Sequence, residues 1–176
     1  MKKNISLFLC IMVAIVLYAV EWKTFTSTAS YFPFTFKYPP AWGISYDATA
    51  TVPVITLTKT NMLMKVSPGW YHKDFLPIKD HTRAHWVAQM LVQEFKKQVT
   101  VNERLEDAIV LVNINGINAY YTDLDYTNSD GKPCYRRLWV FFQPEFYYVI
   151  TADLFQSDNM TYYEIGEMAK TFAVKK

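Results

Sequence analysis

Residues 108–154 read AIVLVNINGINAYYTDLDYTNSDGKPCYRRLWVFFQPEFYYVITADL. The stretch has three breaks and four apolar runs. Asn115-Gly116 is a strong hairpin signal, because a type I′ turn needs positive φ at both central residues. TNSDGKP and Gln143-Pro144-Glu145 supply two further turns. Between them lie AIVLVNI (108–114), INAYYTDLDY (117–126), CYRRLWVFF (134–142) and FYYVITADL (146–154), rich in the β-branched and aromatic residues that suit a pleated surface. Four consecutive strands joined by tight turns predict an antiparallel meander.

The same period appears upstream. In YFPFTFKYPPAWGISY (31–46), Phe34, Phe36 and Tyr38 alternate with Thr35 and Lys37. Pro39-Pro40 ends that run, and Trp42, Ile44 and Tyr46 alternate again. Each run predicts a strand with one buried face. VPVITLT (52–58) and MLMKV (62–66) predict two more. SPGWYHKDFLPIK (67–79) loses the alternation and is read as a loop. Asp80 is then read as the cap of a helix to about Lys97, with an apolar stripe at Val87, Met90, Leu91 and Phe95. A last helix follows Asp158, with Ile165, Met168, Ala169 and Phe172 inward. Strands, helix, strands, helix, without βαβ alternation, predict an α+β domain with a mainly antiparallel sheet and helices packed on it.

The N-terminus has a different character. Lys2 and Lys3 precede an uncharged apolar run, Ile5–Val20, closed by Glu21. A basic head before an apolar run reads as an export signal or N-terminal anchor. The chain is therefore divided into 1–29, signal or anchor plus tether, and 30–176, the α+β domain. The expected location is the periplasmic or extracellular face, with residues 5–20 holding the chain in the cytoplasmic membrane if uncleaved. Cys10 lacks the small residue expected before a lipidated cysteine.

The 176 residues carry a formal charge of +2. Lys2, Lys3 and Lys23, against Glu21, account for it, so the domain itself is neutral. A neutral domain does not favour nucleic acid, whose phosphates need a basic surface. Cys134 is alone in the domain, which rules out a disulfide within it; a lone cysteine of this kind reads as a small buried apolar residue.

Taken together, Phe36, Tyr38, Pro39 and Trp42, then Asn115-Gly116 with Ala119 and Tyr120, then Tyr147–Leu154 and the terminal Thr171-Phe172 resemble the PsbP-like family across residues 31–174. That family is named for the extrinsic P subunit of photosystem II and includes small exported bacterial proteins. The resemblance implies an antiparallel sheet between helices. It assigns no binding residue, because the matching positions are structural.

Candidate sites come from the residues themselves. Trp70, Tyr71 and Phe75, beside Pro68 and Gly69, are read as loop aromatics able to form a recognition patch; packing onto the core is the competing reading. On the meander, a connecting loop with an odd residue count would set Asp123 opposite Arg137, Tyr121 opposite Trp139 and Ala119 opposite Phe141. A solvated cross-strand ion pair competes there with a polar binding surface ringed by Tyr121, Tyr135, Arg137 and Trp139. His81 and His85 share a helix face at metal-ligand spacing, against the reading of two surface histidines. Asp123 and Asp125 lack the surrounding loop of a calcium site. GxSxG and glycine-rich phosphate loops are absent from the sequence. The expectation is a monomeric, non-catalytic domain without cofactor, binding a protein partner at or near the membrane. A small-ligand carrier with a pocket between helix and sheet is the alternative, and an unrecognised hydrolase ranks below both.

Overall fold

A computed structural model describes residues 21–47, 49–50, 52–60, 62–101 and 108–175. Residues 1–20, on which the export or anchor reading rests, lie outside the described residues.

The meander forms as its turns dictate. Strands β7 (Val110–Ile114), β8 (Ile117–Thr127), β9 (Pro133–Phe142) and β10 (Phe146–Phe155) pair antiparallel in succession. Asn115 and Gly116 both have positive φ (51° and 78°), as their hairpin requires. The cross-strand expectation holds residue for residue: Ala119↔Phe141, Tyr121↔Trp139, Asp123↔Arg137. The sheet continues from β10 to β5 (Met62–Trp70), β4 (Ile55–Lys59) and β3 (Gly43–Tyr46), and at its other edge β6 (Thr100–Val101) and β7 both pair with β8. A smaller antiparallel sheet joins β1 (Lys23–Thr26), β2 (Phe34–Tyr38) and β11 (Ala173–Val174).

Alternation along β9 separates two cores. Trp139 and Phe141 face β2 and helix α2 (Asn159–Lys170), where Phe34, Phe36, Tyr148, Ile165, Met168 and Phe172 are buried. Leu138 and Val140 face helix α1 (Asp80–Lys96), with Ala84, Ala88, Val92 and Phe95. The central sheet thus carries α1 on one face and α2 with the small sheet on the other. Cys134 is buried in the α1 core, as expected of a small apolar residue.

Several local expectations are corrected. Ser67–Trp70 is strand, not loop: β5 runs on through Pro68 and Gly69, paired with Tyr148 and Tyr147 of β10. The Tyr147 ring covers Gly69, so the missing side chain is filled from the neighbouring strand. Asp80 is not the cap of α1; that position is Lys79, and Asp80 sits in the first turn, paired with Arg83. The apolar stripe of α1 is also displaced. Ala84, Ala88, Val92 and Phe95 are inward, Val87 and Leu91 are half-buried, and Met90 is exposed. Small alanines let the helix lie close to the sheet and turn the bulkier side chains outward. In β3, Ile44 is only half-buried and Tyr46 is exposed, because β3 is the last strand at its edge of the sheet. The stretch 21–29, expected as tether, contributes β1, whose Phe25 packs on Phe34 and Phe36.

Candidate functional site

Two concavities contain six of the seven candidate residues, one on each face of the sheet. The first lies between α2 and the β7–β9 surface. Its volume is about 530 Å³, and Val112, Ile114, Tyr121, Arg137, Trp139, Gly166 and Lys170 are among its lining residues. Such a size is within the range of small-molecule pockets.

Its floor is an ordered polar network. Arg137 donates from Nε to Asp123 Oδ1 (3.1 Å), from Nη1 to the Tyr162 carbonyl (2.9 Å) and from Nη2 to Tyr121 Oη (2.8 Å). Tyr121 and Tyr162 both donate their hydroxyls to Asp123 Oδ2, the latter at 2.6 Å. The guanidinium lies 3.9 Å from the Tyr162 ring centroid and 4.9 Å from that of Trp139, a cation–π arrangement. The Arg137 side chain is 9% exposed and that of Asp123 is 26%. The expected solvated ion pair is therefore a largely buried one, because α2 closes over it. Burial opposes the charge on Arg137, but Asp123 and Tyr121 more than offset this and hold its pKa above the ordinary value. Burial also pushes the Tyr121 and Tyr162 phenols up. Both remain neutral donors.

Gly166 of α2 faces this network. A Cβ there would stand 3.1 Å from Arg137 Nη1. Tyr135 is displaced from the pocket: it packs against Tyr162 with ring centroids 5.6 Å apart.

The second concavity, about 380 Å³, lies where the ends of β5 and β10 meet α1. Its walls include Trp70, Tyr71, Phe75, Arg83, Trp86 and Met90. Arg83, on the inner face of α1, is buried and ties the region together by donating to the carbonyls of Phe75, Leu76 and Pro144. Its guanidinium also covers the Tyr71 ring at 4.6 Å. Tyr71 is buried, and burial raises its phenol pKa. Trp70, Phe75, Trp86 and Met90 are each about half exposed, at 46%, 47%, 47% and 53%. Phe75 and Trp86 meet edge to face at 6.2 Å. Trp70 serves both readings at once, because its inner face packs on Phe32 at 4.7 Å.

Sequence reading missed Trp86, Arg83, Tyr162, Gly166 and Lys170. Trp86 and Met90 stand four apart on α1, a signal masked by expecting the large residues inward. The other four are joined to their sites only by tertiary packing. His81 is exposed and the His85 ring packs on Tyr120 at 5.0 Å. Among the described residues no group of three or more His, Cys, Asp or Glu side chains gathers around a common point, so nothing adds a third ligand to that pair. Asp123 is committed to Arg137 and the two phenols.

No protein-family model and no curated protein matches the chain. Solved structures do. LpqN of Mycobacterium tuberculosis, described as involved in cell envelope biogenesis, aligns with a TM-score of 0.60 at 13% identity, over 90% of this chain and 92% of its own. The cyanobacterial PsbP of Synechocystis aligns with a TM-score of 0.55 at 11% identity, over 89% and 94%. A Bacteroides thetaiotaomicron protein aligns at 0.57 and 15% identity over 88% of this chain, which spans only 48% of that protein's length. At such identities the likeness is one of architecture, and the architecture of this chain is the PsbP-like fold.

Proposed function

We propose that this chain is an exported, non-catalytic PsbP-like domain that binds a protein partner at or near the membrane, using the aromatic rim of the cleft between β5 and α1. The observation that carries the reading is the half-exposure of Trp70, Phe75, Trp86 and Met90 around one concavity. Tryptophan and other aromatics exposed together on a surface are what protein interfaces use as anchors.

The position of the rim supports a protein over a lipid surface. Phe32 joins the small sheet to Trp70 at one end of the molecule, while Trp42 and Lys59 meet on Glu164 at the other. β1 begins at the second end, since Lys23 pairs with Tyr38. Along β5 the two ends are about 26 Å apart at roughly 3.3 Å per residue. A chain tethered through the residues before Lys23 would turn the aromatic rim away from the bilayer. The non-catalytic reading is supported by the larger pocket, where the Asp123 carboxylate is held by Arg137, Tyr121 and Tyr162.

The test is quantitative cross-linking of the full chain in its native envelope, comparing Trp86→Ala with Tyr163→Ala. Tyr163 is equally exposed but lies on α2. Trp86→Ala is expected to lower capture of the partner about tenfold or more. Its melting temperature should stay within about 2 °C of the parent, as for other surface substitutions. Equal capture by the two variants would refute the assignment.

A further inference from the structure

We propose that the pocket beneath α2 is a second, separate binding site, for a small singly charged carboxylate with an apolar body. The pocket is built for such a molecule. Val112, Ile114 and Trp139 supply apolar walls. The charged side chains among its lining residues are both cationic: Arg137 at the floor, and Lys170 one helical turn beyond Gly166. A guanidinium carries five N–H groups. The three bonds to Asp123, Tyr162 and Tyr121 use one hydrogen on each nitrogen, which leaves one N–H on Nη1 and one on Nη2. Two such donors on one guanidinium can meet the two oxygens of a carboxylate, and the side chain that carries them is held by its own partners.

The helix wall is consistent with this use. Glycine inside a helix costs about 1 kcal/mol relative to alanine. Gly166 leaves the wall without a side chain where a Cβ would crowd Arg137 Nη1. The neighbouring carboxylates limit the charge of the ligand. Asp123 already neutralises Arg137, and Glu167 pairs with Lys170 at 2.7 Å. A dianion would meet two nearby carboxylates with no surplus cation, whereas a single charge needs only the free donors.

The probe is phenylbutyrate, with phenylbutanol as its uncharged counterpart, titrated by calorimetry into the full chain. Saturable one-to-one binding of phenylbutyrate is expected, at least about tenfold tighter than phenylbutanol, the difference a charge-assisted hydrogen bond contributes. Lys170→Gln, on an exposed side chain that leaves the core intact, should weaken binding several-fold. Ile114→Trp, which fills the pocket, should abolish it. Trp86→Ala should leave it unchanged, so this site and the partner site fail independently. All four proteins carry the same apolar N-terminal run, so binding there cancels. Absence of saturable binding, equal affinity for the alcohol, or full affinity in Ile114→Trp would each overturn the proposal.

Discussion

At the residue scale, Arg137 shows how one side chain organises its surroundings. It joins β9 to β8 through Asp123 and Tyr121 and to α2 through the Tyr162 carbonyl, while three aromatic rings surround its guanidinium. A buried charge is tolerated only when paired and hydrogen-bonded, which explains why so many groups converge on it. Gly166 is part of the same arrangement, and this gives a prediction with two opposing terms. Gly166→Ala gains about 1 kcal/mol of helix propensity. It also pushes a methyl against a guanidinium that its three partners prevent from yielding, and overpacking of that kind costs about 1–3 kcal/mol. The expected net result is a lower melting temperature. A variant that melts several degrees higher would mean that Arg137 moves aside freely.

At the element scale, the two helices differ in how their starts are fixed. α1 begins at Lys79 without a side-chain cap, and its first turn is held instead by Arg83, reaching to Asp80 and to loop carbonyls. α2 begins conventionally: Asp158 accepts from the Thr161 N–H (2.9 Å) and from the Thr161 hydroxyl (2.7 Å). Partial burial raises the Asp158 pKa, but these bonds outweigh it and hold the carboxyl below its ordinary value. A depressed folded-state pKa contributes stability that is complete above the unfolded value of about 4 and disappears as pH falls through the folded value. Asp158→Asn keeps an acceptor but does not titrate. Between about pH 6 and pH 3 the parent should therefore lose more stability than Asp158→Asn in parallel urea titrations. Identical slopes would remove Asp158 from the acid transition. The elements also explain which parts of the sequence were readable. The meander strands are long, their turn residues are specific, and register follows once a turn is placed. Ser67–Trp70 escaped because Pro68 and Gly69 suggest a loop, and only the Tyr147 ring and the β10 ladder make a strand of them. The α1 face escaped because alanines, neutral in any hydrophobic pattern, form its contact surface.

At the scale of the whole molecule, the small sheet fixes where the domain begins. β1 lies within a stretch that composition marks as a linker, yet Phe25 is buried at 7% exposure against β2. Burying a phenylalanine contributes about 2 kcal/mol, and its loss in a core costs more. A chain beginning at Glu21, which keeps Trp22 against the core, is expected to melt as the full domain does, whereas one beginning at Ser30 should melt several degrees lower, by differential scanning calorimetry. Equal melting temperatures would make β1 an accessory to the fold. The comparison structures place this arrangement in the PsbP-like fold, and their low identity confines the likeness to the backbone.

The sequence by itself determined the antiparallel meander and the class of the domain, and it offered the Asp123–Arg137 and Tyr121–Trp139 pairings for an odd-length loop, because turn chemistry and two-residue alternation act within a few residues of one another. The tertiary structure alone decided that Trp86 and Met90 face outward, that Gly166 admits Arg137, and that the aromatic rim stands at the far end from Lys23. Those outcomes depend on which surfaces meet when distant segments pack, and the free energy of that meeting belongs to no local stretch of chain.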